Sequence, residues 1–238
     1  NLGGSVGSGT LIYYDQAGGV LGSDGVVLPP SSRADFAAHR FGPGKVGMVE
    51  WRPIGANLYL MRNVRYLYDN PAGVSSFDSA FQLEAMQGSG AEQLVPIDTI
   101  NRTAVIELMN TLNQPVIVDV TIAGGSGASF SLSLPAYGSY HYIADPVLGP
   151  NAIGYAIIKG RTAGSIGAVA MEYGRRADLG TAYLFGVPAK EAVGTVLRGS
   201  YNTYLGQSSW LILVSPVSQP VTIFTVRNDG QAGGNRTV

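Results

Sequence analysis

Two histidines, His39 and His141, are the chain's only imidazoles, and it has no cysteine. An imidazole acts only with neighbours: a nucleophile to deprotonate, or further ligands to share a metal. The two lie far apart in sequence, and in the internal repeat described below His141 falls opposite Asp35. His141 sits within Tyr140-His141-Tyr142, whose alternation places it on one face of a strand, and a surface or edge role is expected. The acids are scattered, several of them beside glycine, where aspartate favours turns. Glu50, Glu107, Asp119 and Glu172 fall within strands and are expected to face outward. No carboxylate pair suited to glycoside hydrolysis and no Asp-x-Asp-x-Asp calcium ladder is legible. Neither His-Glu-x-x-His nor Gly-x-x-x-x-Gly-Lys-Ser/Thr occurs. The run Gly3-Gly4-Ser5-Val6-Gly7-Ser8-Gly9 precedes no helix start and no lysine, and reads as a flexible terminus or linker. These patterns predict a protein that is not an enzyme, with no cofactor and no metal site.

Two other residue classes could serve recognition. Tyr13, Tyr14, Tyr66, Tyr68, Tyr137, Tyr140, Tyr142, Tyr201 and Tyr204, with Trp51 and Trp210, gather in strands and at their ends. Flat aromatic rows can bind sugar rings, but tyrosine also suits strand faces and protein contacts, and the contact or core reading is preferred. Two Asn-x-Thr sequons, Asn101-Arg102-Thr103 and Asn235-Arg236-Thr237, fall in expected loops, so Asn101 and Asn235 are candidate glycosylation sites.

The background of these residues is poor in charge. Only 13% of residues are charged and the net charge is −1, against about 25% charged in an ordinary globular domain. A surface of that kind suits a subunit covered by neighbours, or a secreted protein. With both signs interspersed, there is no basic stripe to follow a phosphate backbone, so nucleic acid is not an expected partner. No run approaches the length of a membrane span; Trp210-Leu211-Ile212-Leu213-Val214 is among the longest apolar stretches. Asn1-Leu2-Gly3-Gly4 has neither the basic start nor the apolar core of a signal peptide, and the expectation is a processed mature form or a fragment.

The elements that carry these residues are short strands. Glycine, proline, asparagine and aspartate clusters such as Asp24-Gly25, Gly42-Pro43-Gly44, Gly124-Gly125 and Gly149-Pro150-Asn151 separate runs of Val, Ile, Leu, Thr and Tyr. Alternation puts Val116, Val118 and Val120 on one face, and Phe130, Leu132 and Leu134 likewise. No segment keeps a helical period; the best short candidate, Pro188 to Val193, reads equally as loop.

An internal repeat organises the strands. Asn113-Gln114-Pro115-Val116 recurs as Ser218-Gln219-Pro220-Val221, 105 residues on. Val26-Val27-Leu28-Pro29 matches Leu132-Ser133-Leu134-Pro135 at 106, and Gly42-Pro43, Gly47 and Tyr66 match Gly149-Pro150, Gly154 and Tyr173 at 107. One full copy spans residues 94–175, with seven strands expected at 94–98, 104–110, 116–122, 129–134, 138–143, 153–159 and 166–173. Residues 1–70 read as an incomplete module whose span 10–67 holds the last five strands. Residues 71–93 and 176–199 read as linkers, and 200–238 as the early strands of a further module, three of them within 201–226.

The span from Leu94 to Arg175, with its Asn113-Gln114-Pro115-Val116 and Leu134-Pro135 turns, resembles the tandem immunoglobulin-like β-sandwich modules of secreted prokaryotic surface and filament proteins. The resemblance implies an all-β fold of two antiparallel sandwich modules, one contiguous and one split between the termini. It transfers no catalytic residue. The split module could be completed by the same chain or by a neighbour, and completion by a neighbour is β-strand exchange that propagates head to tail. The expected function is therefore an extracellular structural subunit, secreted or at the cell surface, whose partner is itself. The residues expected at the subunit interface are Leu11 and Tyr13 on the acceptor side and Trp210, Val221, Ile223 and Thr225 in the tail. A glycan- or host-binding adhesin module, and a viral coat or tail component, are the alternatives.

Overall fold

The computed structural model describes residues 1–67, 79–175, 181–191, 197, 212–226 and 231–238. The chain is all-β and divides into two compact units, Asn1–Gly199 and Ser200–Val238.

The first unit opens with β1 (Gly7–Asp15), β2 (Val20–Leu28), a 3-10 turn (Ala38–Phe41), β3 (Gly47–Ile54), β4 (Arg62–Leu67) and β5 (Ser79–Glu84). It continues with β6 (Glu92–Asp98), β7 (Arg102–Asn110), β8 (Val116–Ala123), β9 (Ala128–Leu134), β10 (Ser139–Ile143), helix α1 (Asp145–Leu148), β11 (Ile153–Gly160), β12 (Ile166–Arg175), β13 (Thr181–Pro188) and β14 (Lys190–Glu191). Among its described residues the second unit contains a hairpin of β15 (Thr222–Val226) and β16 (Ala232–Thr237).

The seven strands expected between 94 and 175 are present as β6 to β12. They form two antiparallel sheets, in the order β14-β6-β11-β8-β9 and β10-β7-β12-β13. The alternation explains the packing. Val116, Val118, Val120 and Ile122 of β8 are buried, while Ile117 between them is exposed. They meet Ala104, Ile106 and Leu108 of β7 and Ile166, Ala168 and Ala170 of β12 in one core, which Leu148 of α1 and Leu134 of β9 also join. At about 1.5–3 kcal/mol for each large aliphatic side chain removed from water, this core dominates the unit's stability. The β8–β9 turn needs glycine: at Gly125 φ is +58°, and a Cβ there would lie 2.2 Å from the Leu148 carbonyl oxygen.

The two segments read as linkers contribute strands. β5 lies within 71–93, and β13 and β14 lie within 176–199. The cause is apolar alternation that a linker would waste: Leu83 of β5 is buried, and Val187 of β13 packs on the main core. β13 extends the second sheet through pairs Val169↔Pro188 to Arg175↔Thr181, and Lys190–Glu191, in the short stretch weighed as helix, pairs with β6. The five strands expected over 10–67 are four, β1 to β4. The stretch opposite β10 forms none, because Pro29-Pro30 lack amide hydrogens and Ser31 takes a positive φ of 53°.

The repeat holds at the level of pairing. β1–β2 follows β8–β9: Leu28↔Gly7 answers Leu134↔Val116. β3 sits on β1 as β11 sits on β8, Leu11↔Trp51 answering Val120↔Ile158. The 3-10 turn ends at Gly42 (φ +94°) as α1 ends at Gly149 (φ +83°), and Phe41 caps its sheet's core as Leu148 does. The β4–β5 hairpin answers β12–β13, Tyr66↔Ala80 matching Tyr173↔Leu184. In the second unit β15–β16 is a third copy of β8–β9, with Ile223↔Arg236 matching Val118↔Leu132.

Candidate functional site

Functional side chains were sought first among buried polar groups, because burying one without a partner costs free energy. Glu107 and Glu172, expected to face outward, are buried at 4% exposure each. The reason is tertiary. Val105, Glu107 and Met109 occupy the face of β7 away from the main core, and that face is covered: Leu83 of β5 packs with Val105, Val169 and Met171, joined by Phe81 and Met109. Arg65 of β4 meets Glu107 with two parallel bonds, Nη1 to Oε1 at 2.8 Å and Nη2 to Oε2 at 2.7 Å. Glu172 lies on the inner face of β12 beside Ala104, where Arg102 donates to it. Burial pushes the Glu172 carboxyl up, and the Arg102 guanidinium opposes that shift. These carboxylates are locked in ion pairs, and neither lines the shallow cleft between β5 and β14 bordered by Gln82, Met86, Gln93 and Lys190.

His141 lies half-buried with Nε2 3.6 Å from Glu107 Oε1. Burial lowers its pKa; Glu107 raises it and Arg65 lowers it further. His39 is exposed in the 3-10 turn. Gly3–Gly7 spells Gly-x-Ser-x-Gly, but the run leads into β1 and not into a helix, and the Ser5 hydroxyl donates to Asn57 Oδ1 at 2.8 Å. That is not the strand-to-helix turn a nucleophile of this pattern needs. Among the described residues no group of three or more His, Asp or Glu could hold a metal, and no helix is long and apolar enough to cross a membrane.

Several of the aromatic residues are spent on packing. Tyr13 and Tyr14 are both 4% exposed. Tyr14 stacks on Tyr137 at 4.5 Å and donates to Glu50, while Arg52 donates to the Tyr137 hydroxyl. Trp51 meets Tyr59 edge-on at 5.1 Å. Tyr13, Tyr14, Trp51 and Tyr137 thus tie the N-terminal sheet together and to the complete module, Tyr66 and Tyr140 are exposed, and Tyr68, Tyr201, Tyr204 and Trp210 lie outside the described residues.

The expected interface residues divide. Leu11 and Tyr13 are already covered by their own chain, packed with Val26, Phe41, Trp51 and Met61. Their side chains face a core of their own chain, which the 3-10 turn and the stretch before β4 help to close. Trp210 lies outside the described residues. Val221 exchanges two backbone hydrogen bonds with Val238, and Ile223 and Thr225 follow in β15 on the same face. On the opposite face Phe224 is 70% exposed. Asn101 is an exposed turn residue with φ +55°, in keeping with a glycan acceptor. Asn235 is exposed too, but lies within β16 and not in a loop, paired with Phe224.

Pairing marks out what the sequence had not shown, namely the edges of β3 and β4. On β11 the side away from β8 carries β6, over Ile153↔Asp98 to Lys159↔Glu92. On β12 the side away from β13 carries β7, over Ile166↔Asn110 to Gly174↔Arg102. Their counterparts β3 and β4 have no strand there among the described residues. A bare edge presents a row of amides and carbonyls ready to pair with another strand. Apolar side chains accompany both, with Ile54 at the end of β3 and Val64 on β4 exposed.

No family model and no curated protein matches the chain. Among solved structures, the crystal structure of Thermotoga maritima 1070 aligns with 46% of this chain and 100% of its own length, at 11% identity and a TM-score of 0.37. At that score the likeness carries no argument about fold or function.

Proposed function

We propose that this protein is a non-catalytic structural subunit that associates with copies of itself, head to tail, by β-strand addition, and that it builds an extracellular filament or surface layer. The observation that carries this reading is the pair of edges on β3 and β4 that have no strand beside them among the described residues, at the positions that β6 and β7 fill in the complete module. Strand addition draws affinity from main-chain bonds and specificity from alternate side chains. A head-to-tail contact of this kind does not close on itself. The exposed β15–β16 hairpin and the sparse charge support the same reading. An immunoglobulin-like ancestry of the module is part of the proposal, resting on its two-sheet sandwich and tandem repetition.

The test is sedimentation of the purified chain over a wide concentration range, with electron microscopy of the same samples. The expected result is concentration-dependent growth into rods or sheets. A monodisperse monomer at high concentration, with both ends folded, refutes the reading.

A further inference from the structure

The β4–β5 hairpin rests on the face of the β7–β12 sheet turned away from the main core. Leu83 and Phe81 of β5 pack there with Val105, Val169 and Met171, an apolar contact without direction. The directional tie is Arg65 of β4, which donates to both carboxylate oxygens of Glu107. Glu107 belongs to β7, and its partner across the ladder on β10 is His141. His141 Nε2 lies 3.6 Å from Oε1, the oxygen that Arg65 Nη1 reaches at 2.8 Å. A guanidinium from the hairpin and an imidazole from the module thus converge on one oxygen of a buried carboxylate.

The two cannot serve it equally. With the hairpin seated, both oxygens of Glu107 are taken, and a proton on the half-buried His141 would sit beside the Arg65 charge. Were the hairpin to lift, Arg65 would leave, water would enter, and the imidazole would be the nearest group able to pair with Glu107. The lifted state therefore binds the proton more readily, and by linkage acid favours lifting. A protonated His141 also keeps Glu107 paired, which removes much of the penalty for losing Arg65.

Among the described residues, Glu107 and Arg65 are the charged groups acting on His141. Arg62 and Glu84 lie on the opposite face of the hairpin, 3.6 Å from each other. Asp15, whose turn meets β10 through the bond from the Ser139 amide to the Gln16 carbonyl, accepts from the Gly19 amide. The Tyr173 phenol of β12 borders the Arg65–Glu107 pair, and burial holds its proton on.

We propose that Glu107 is an exchangeable anchor: Arg65 holds it at neutral pH with the β4–β5 hairpin seated, and in mild acid a protonated His141 takes it over and the hairpin loosens from the β7–β12 sheet. The device lies within one chain and does not depend on assembly.

Hydrogen exchange read by mass spectrometry, corrected for the intrinsic exchange rate at each pH, tests it. Protection is compared at about pH 5 and about pH 8, on either side of the ordinary histidine value of about 6.5. In the unsubstituted chain, protection over 62–67 and 79–84 is expected to fall several-fold in acid relative to that of β8. In His141→Gln that loss should vanish. In Arg65→Met the dependence should reverse, because acid then relieves a buried carboxylate that has no other partner while the hairpin is seated. Hairpin protection that tracks β8 at both pH values overturns the proposal. So does an acid loss that survives in His141→Gln, which places the sensor elsewhere, or one that survives in Arg65→Met. Should Arg65→Met not fold, the comparison of the unsubstituted chain with His141→Gln decides alone.

Discussion

Arg65 offers the sharpest energetic test, because it ties β4 to the complete module. Its guanidinium reaches from β4 to Glu107 of β7 through two bonds of 2.8 and 2.7 Å. The Glu107 side chain is 5% exposed and that of Arg65 32%. Removing one partner of a buried pair leaves the other charge buried and unpaired, at a cost of about 3–5 kcal/mol. His141, 3.6 Å from Glu107, is no substitute near neutral pH, since burial favours its uncharged form. Arg65 borders solvent, so water can reach part of the gap, and we expect the low end, about 3 kcal/mol, for Arg65→Met. With a slope of about 2–3 kcal/mol/M for a chain of this size, the urea midpoint falls by about 1–1.5 M. The double variant Arg65→Met with Glu107→Leu replaces the pair by apolar groups that fit beside Val105 and Met171, and is expected within about 1 kcal/mol of the unsubstituted protein. Urea titration followed by circular dichroism reads all three chains. The reasoning fails if the single variant moves the midpoint by less than about 0.3 M, or if the double variant is as weak as the single one.

Three further outcomes follow from the packing. Leu108→Ala, in the fully buried core, should cost about 2–5 kcal/mol by urea titration, whereas Ile117→Ala on the solvent side of β8 should cost far less. Gly125→Ala should destabilise by at least about 1 kcal/mol, because it adds a Cβ at a positive φ against the Leu148 carbonyl; a neutral result would show that the turn relaxes freely. His141 has a folded pKa below its ordinary value, so between the two values the unfolded chain binds more protons. Stability should therefore rise with pH through that window and be fully present above about 6.5, the ordinary histidine value. His141→Asn should flatten the slope, which thermal melts taken from pH 5 to 8 would reveal.

The fold was legible where side-chain period alone decides the outcome. Val116, Val118 and Val120 alternate with residues on the solvent side, and a strand with one buried face is the only way to satisfy that order. The repeat was legible for a related reason. Glycine and proline sit at turns whose backbone other residues fit poorly, and the helical turns ending at Gly42 and Gly149 preserve their spacing. The burial of Glu107 and Glu172 was not legible, because an acid in a strand says nothing about which face another element will cover. Only Arg65 arriving from β4, and Arg102 turning inward at the end of the sandwich, made burial tolerable.

The same division runs through the proposed assembly site. Composition and period determined that the chain is built of short strands, that seven of them follow one another between residues 94 and 175, and that their pattern returns on either side. Which strands lack a neighbour was decided only by three-dimensional pairing. Leu11 and Tyr13 carry the alternation of an acceptor strand, yet Phe41, Trp51 and Met61 close over them within the same chain. Nothing in the sequence marked the edges of β3 and β4, yet among the described residues neither has a strand there. A strand's two faces are written in its side chains, whereas its two edges are made of backbone amides and carbonyls common to nearly every residue. Sequence can therefore announce a strand and its buried face, but only the tertiary arrangement shows which edge remains to be filled.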